Sequence, residues 1–88
     1  MQFNEGMIVK SCAGHDQNLF YVIAKIENDK IFIADGKRRK LKKPKLKNQI
    51  HLAKTNTILE KSDYQTDLKL RRILMGFNNP LKNQNKGR

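Results

Sequence analysis

Apolar residues fall in short runs along the first half of the chain, separated by turn residues. The runs are rich in β-branched and aromatic side chains, which favour strands. Asn28-Asp29 and Asp35-Gly36 are two-residue hairpin signals, because these residue types tolerate positive φ. Such strands in close succession predict a mainly β fold, a small and strongly bent five-stranded barrel. The predicted strands are 6–11, 19–27, 30–34, 37–41 and 50–54. In the first of them, alternation predicts Met7 and Val9 on one face and Ile8 and Lys10 on the other.

The hydrophobic period changes after residue 60 and predicts one helix over 66–77. Thr66 suits the N-cap, Asp67 suits the positive helix N-terminus, and Gly76 or Asn78 can end the helix. We expect its apolar stripe to dock on the barrel, and the alternative is a partner-binding face. The stripe consists of Leu70, Ile73, Leu74 and Phe77.

The predicted organisation is a single folded unit with a polar end. Residues 1–57 form the barrel, 58–77 a linker and the helix, and 78–88 a disordered basic tail. A chain of 88 residues allows one domain.

Positive charge is concentrated in one segment of the chain. The net charge is +11, and no acidic residue lies between Gly36 and Glu60. Like charges held together repel one another, so an anionic partner is expected, nucleic acid first and an anionic membrane surface second. The alternative to a binding surface is an edge strand that lysine keeps soluble. The cations of this window are Lys37, Arg38, Arg39, Lys40, Lys42, Lys43, Lys45, Lys47 and Lys54.

Residue types that could support catalysis or metal binding lack the necessary arrangement. Cys12 and His15 with the distant His51 lack a fourth ligand and the paired spacing of a zinc site. Ser11, His15 and Asp16 are too crowded in one loop for the mutual geometry of a catalytic triad. We therefore expect no enzyme activity, no metal and no cofactor.

The strand aromatics Phe20, Tyr21 and Phe32 have two interpretations. Their apolar neighbours favour core packing, and the alternative is a platform for base stacking. Tyr21 is the one expected to reach the surface most readily.

Two absences in the sequence bear on compartment. No apolar run is long enough for a transmembrane helix, and the N-terminus "MQFNEG" lacks the basic and apolar regions of a signal peptide. A single cysteine allows no intrachain disulfide. Together these features predict a cytoplasmic protein with no membrane association.

The segment "GMIVKSCAGHDQNLFYVIAKIE" resembles a KOW motif, with Gly14 as the loop glycine and Asp16 as the acidic residue after it. The basic "ADGKRRKLKKPKLKNQIHL" extends the resemblance to stand-alone bacterial KOW proteins and to archaeal and eukaryotic large-subunit ribosomal proteins. It covers about residues 4–56. The resemblance implies an SH3-like barrel that binds RNA, usually ribosomal RNA. His15, Gln17 and Asn18 depart from the more basic family loop, which leaves more phosphate contact to 37–47.

The predicted function is non-enzymatic RNA binding, with ribosomal RNA of the large subunit as the partner. Neighbouring ribosomal proteins are further possible partners, and a monomer is expected off the ribosome. The alternatives are a protein-interaction module of the transcription or translation machinery and a nonspecific nucleic-acid binder. The predicted RNA-binding residues are Lys10, Gly14, His15, Asn18, Lys37, Arg38, Arg39, Lys40, Lys42, Lys43, Lys45, Lys47, Arg71 and Arg72.

Alternation along the predicted strand 37–41 divides its cations between two faces. With Leu41 directed to the core, Lys37 and Arg39 share its side. Arg38 and Lys40 are then expected to be the more exposed pair, and Lys42 to Lys47 to continue the basic surface as a loop around Pro44.

Overall fold

A computed structural model describes residues 3–14 and 17–78. In this part of the chain, five antiparallel strands are followed by one α-helix. They are β1 (Met7–Ser11), β2 (Phe20–Glu27), β3 (Lys30–Ala34), β4 (Lys45–Lys47), β5 (Leu52–Ile58) and α1 (Asp67–Asn78). The two 3₁₀ turns are Gln49–His51 and Lys61–Tyr64. The strands form one sheet in the order β4-β3-β2-β1-β5.

The first three strands confirm the prediction to within one residue at each end. Asn28 and Asp29 turn the chain between β2 and β3 with φ of 52° and 68°, the left-handed conformation that a tight hairpin requires. The predicted strand 50–54 was wrong at its start. The Asn48 side chain accepts a hydrogen bond from the Ile50 N–H (3.0 Å) and caps a 3₁₀ turn, so the β5 ladder begins only at Leu52.

Alternation along the strands produces a hydrophobic cluster on each face of the sheet. In β1, Met7 and Val9 lie on one face and Ile8 on the other, as the sequence pattern predicts. The inner cluster consists of Met7, Val9, Tyr21, Ile23, Ile31, Ile33 and Leu52. The outer cluster consists of Ile8, Val22, Ala34, Tyr64, Leu70 and Leu74.

Helix α1 covers part of the outer face, which confirms docking of its apolar stripe. Leu70 and Leu74 are buried in the outer cluster, and Phe77 packs at its margin. The Thr66 hydroxyl accepts a hydrogen bond from the Lys69 N–H (3.1 Å), as expected of an N-cap. At the other end, the Asn78 side chain accepts from the Phe20 N–H (2.7 Å) and donates to the Phe20 carbonyl (3.2 Å). Residues 79–88 of the predicted tail lie outside the described part of the chain.

The sheet is curled so that it covers its own inner cluster. β4 and β5 lie at opposite edges, which a flat sheet would hold about 19 Å apart. Residues 48–51, which include a 3₁₀ turn, join them and span only roughly 13 Å. The two edges must therefore approach each other, and the Lys47 ammonium accordingly reaches the Ala13 carbonyl after β1 (3.2 Å). Among the described residues no ladder joins β4 to β5, so the sheet is curled but open.

Candidate nucleic-acid interface

The segment after β3 is a compact loop, and the predicted strand 37–41 was wrong. The Asp35 carboxylate accepts hydrogen bonds from the Lys37 and Arg39 N–H groups, both at 2.9 Å. The Asp35 and Gly36 N–H groups donate to the Arg39 carbonyl at 2.9 and 3.0 Å. These bonds satisfy the backbone locally, as Asx turns do, so the chain is not free to continue as a strand. The partner of β3 is instead β4, which starts just after Pro44.

The loop geometry also corrects the expected division of its charges. Strand alternation does not operate in a loop, and the four cations at 37–40 are all exposed. Within the described part of the chain, none of them forms an ion pair with an acidic side chain. Leu41 is half-buried against the outer cluster, in agreement with its predicted inward direction. We call residues 37–43 the basic loop.

Two contacts hold the basic loop against the start of α1. The Leu41 N–H donates to the Asp67 carboxylate at 2.8 Å. Gly36 is buried with φ of +79°, and a Cβ at this position would overlap the Asp67 carbonyl oxygen. Only glycine combines this backbone conformation with so close an approach. Asp67 therefore lies against the chain on both sides of the four cations at 37–40, at Gly36 and at Leu41.

The anchoring brings loop and helix cations together around a first cleft. Lys37 and Arg38 of the loop line it together with Arg71 of the helix, and Asp35 is the acidic residue among them. The rest of the lining is Leu19, Leu74, Met75 and Asn78. The cleft has a volume of about 500 Å³. Arg72 is exposed on α1 but does not line this cleft.

The far end of the basic loop borders a second cleft of about 590 Å³. Lys42 and Lys43 line this cleft together with Lys25 of β2, Lys61 of the second 3₁₀ turn and the ring of Phe32. Lys25 and Lys61 were missed at the sequence level. Both lie outside the acid-free segment, Lys25 two residues before Glu27 and Lys61 directly after Glu60, so no local charge signal marks them.

Lys45 and Lys47 are placed differently from the loop cations. They belong to β4 rather than to a loop, opposite Ile33 and Ile31 respectively, and both are half-buried. Cross-strand partners point to the same face, so these lysines lie on the side of the inner cluster. Leu46 between them points outward and is 52% exposed.

The β1–β2 loop carries the remaining predicted residues. Gly14 and Asn18 are exposed and have φ of +85° and +72°, the left-handed conformation that a sharp loop between strands uses. The Lys10 ammonium lies 6.0 Å from the centroid of the Phe20 ring. Neither cleft includes any of these three, and His15 lies outside the described residues.

The aromatic residues separate into buried and accessible ones. Tyr21 is only 3% exposed in the inner cluster, so the expectation that it reaches the surface most readily was wrong. Its side chain lies on the same face of β2 as that of Ile23, in the inner cluster and away from solvent. Phe20 packs against Phe77 with ring centroids 5.4 Å apart. Phe32 is half-buried and lines the second cleft.

Other chemical features of the described residues are few. No group of three or more metal-ligating side chains is found among them, and Cys12 is an exposed free thiol. No helix in residues 3–14 and 17–78 is long and apolar enough to cross a bilayer. Burial, and to a lesser extent the charge of Glu5, raises the pKa of Tyr64 above its ordinary value.

Comparison with known proteins assigns no relative to the chain. No protein-family model matches it, and no curated protein shows significant sequence similarity.

Proposed function

We propose that this protein is a non-enzymatic RNA-binding protein that associates with ribosomal RNA of the large subunit. The observation that carries the proposal is the convergence of Lys37, Arg38 and Arg71 on one cleft. These cations come from two distant segments, and the anchoring through Gly36 and Asp67 holds their backbones together. Holding like charges together costs free energy that an anionic partner offsets.

Phosphate groups suit this arrangement better than a generic negative surface. A guanidinium presents a planar fork of donors that matches two phosphate oxygens, and Arg38 and Arg71 supply two such forks. Binding would release counterions from the nucleic acid and would therefore depend steeply on salt. The lysines of the basic loop add point charges without base specificity.

The choice of RNA over DNA rests on the resemblance of residues 4–56 to KOW proteins. The curled five-stranded sheet supports the SH3-like barrel that this resemblance implies, since a short connection brings its edges towards each other. Neighbouring ribosomal proteins would complete the binding environment, and the protein would be a monomer when it is off the ribosome.

Sedimentation of cell extracts through a salt series tests the proposal. We expect the protein to migrate with large subunits at moderate salt, and the double substitution Arg38→Ala/Arg71→Ala to abolish this. The control is Lys30→Ala/Lys69→Ala, which removes the same charge from exposed positions outside both clefts. The control should still migrate with the subunits.

Two results would contradict the proposal. Association that survives both Arg38→Ala/Arg71→Ala and high salt would indicate a protein-interaction module. In a competition at equal charge, preference for duplex DNA over structured RNA would indicate a nonspecific nucleic-acid binder.

A further inference from the structure

The outer face of the sheet carries one aromatic ring that α1 does not cover. The register aligns Lys25 of β2, Phe32 of β3 and Leu46 of β4 as cross-strand neighbours. Directly paired residues project to the same side of the sheet, so the three side chains form a row. Val22 and Ala34, at the other end of these strands, are buried in the outer cluster with Leu70 and Leu74 of α1, and the outer cluster as described does not include Phe32.

The Phe32 ring is flanked by cations from separate parts of the chain. The Lys25 ammonium lies 5.6 Å from the ring centroid and forms an ion pair with the Glu27 carboxylate at 3.2 Å. Lys42, Lys43 and Lys61 line the same cleft. Glu5 is the one acidic residue lining it, and its carboxylate accepts a hydrogen bond from the Ile26 N–H (3.0 Å). The cleft is therefore strongly positive around an aromatic floor.

The remaining lining is apolar and shaped by the basic loop. Leu41, Pro44 and the small side chain of Ala24 line the cleft together with the ring. A half-buried phenyl ring is stabilised when a flat apolar group covers it, whereas its lysine neighbours require negative charge. A nucleotide supplies both, because its base offers a π-face and its phosphate an anion.

We propose that this second cleft binds an unpaired nucleotide of RNA, with the base stacked on Phe32 and the flanking phosphates held by Lys42, Lys43 and Lys61. The inference rests on the proposed RNA-binding function and specifies which structural feature of the RNA is recognised. A base inside a duplex is stacked on its neighbours and cannot reach the ring. The cleft therefore selects RNA with exposed bases, whereas the first cleft contacts phosphate only.

Affinity measurements with matched RNAs test the inference. One RNA is a fully paired duplex, and the other has the same number of phosphates but a short run of unpaired adenosines. We expect the natural protein to prefer the second RNA and Phe32→Leu to reduce that preference roughly tenfold or more, since Leu fills the space without a π-face. Phe32→Tyr keeps an aromatic ring and should retain the preference of the natural protein for the second RNA. Thermal unfolding of each variant verifies that the fold is retained.

Fluorescence provides a readout that folding alone would not change. The chain contains no tryptophan, so Phe32→Trp introduces a unique fluorophore whose emission is quenched when a base stacks on it. Ile50→Trp is the control, since Ile50 is 76% exposed and lines neither cleft. We expect quenching of Trp at position 32 by the RNA with unpaired adenosines, and little quenching by the duplex or at position 50.

The outcomes separate this inference from the proposed function. If Phe32→Leu leaves the preference unchanged, or if both RNAs quench position 32 equally, base stacking on Phe32 is refuted while RNA binding stands. If the natural protein binds neither RNA more tightly than polyglutamate of equal charge, the proposed function itself fails, and this inference fails with it.

Discussion

The Asp67 carboxylate accepts a hydrogen bond from the Leu41 N–H at 2.8 Å and so joins the basic loop to the first turn of α1. Leu41 is half-buried beside this bond, and its side chain packs against the outer cluster. The acidic residue at the helix N-terminus thus has a tertiary role besides its interaction with the helix dipole. Its effect is to place cations from the loop next to those of the helix.

Removal of this bond should loosen the loop. We expect Asp67→Ala to lower the free energy of unfolding by about 1–3 kcal/mol, because a part-buried N–H loses a charged acceptor. Denaturant unfolding measures the loss, and faster hydrogen exchange of the Leu41 amide locates it. Asp67→Asn retains an acceptor oxygen and should show a smaller effect. Equal exchange at Leu41 in the natural protein and Asp67→Ala would contradict the assigned role.

The two glycines near α1 should respond to alanine in opposite directions. Gly36→Ala places a Cβ against the Asp67 carbonyl at a φ of +79°, so we expect a loss of more than about 2 kcal/mol. Gly76 is exposed within the helix, and a Cβ at this position would project into open space. Gly76→Ala should therefore stabilise the protein by about 0.5–1 kcal/mol. If the denaturant midpoints of both variants lay above that of the natural protein, or both lay below it, this contrast would be refuted.

Salt dependence should report how many phosphates the basic surface contacts. If the protein engages about 5 phosphates, the logarithm of its RNA affinity should fall with log[salt] with a slope of roughly −3.5 to −4.5. Arg38→Ala/Arg71→Ala should make the slope shallower by about 1.4–1.8, since two contacts are lost. Filter binding over a salt series measures both. Lys30→Ala/Lys69→Ala is the control, and an equal change in its slope would indicate diffuse charge rather than a defined contact surface.

Alkaline pH should destabilise the fold through Tyr64. Burial, followed by the negative charge of Glu5, raises the pKa of Tyr64 above 10.0. The unfolded chain then ionises first, so the stability contributed by the neutral phenol is complete below pH 10 and is lost as pH rises through the folded pKa. We expect Tyr64→Phe to lose less stability than the natural protein above pH 10, measured by denaturant unfolding at several pH values. Parallel pH profiles would contradict it.

Strand positions and the helix were accessible to sequence reasoning because they depend on neighbouring residues. Alternation placed Met7 and Val9 opposite Ile8, and the helical stripe identified Leu70 and Leu74 as buried. The prediction of a strand over 37–41 failed because it took account only of the turn propensity of Asp35. Its carboxylate binds two backbone N–H groups ahead of it, and this hydrogen bonding competes with strand pairing in a way that composition does not reveal.

Local sequence established the alternating strands, the docked helix and the concentration of positive charge, since all three are expressed within a few consecutive residues. The clefts depended on tertiary structure. Arg71 and Arg38 line the same cleft because Gly36 allows the loop to approach Asp67. Lys61 and Phe32 line the other cleft because the chain returns to the outer face after β5. Side chains distant in sequence become neighbours only through packing, so no pattern along the chain could identify either cleft.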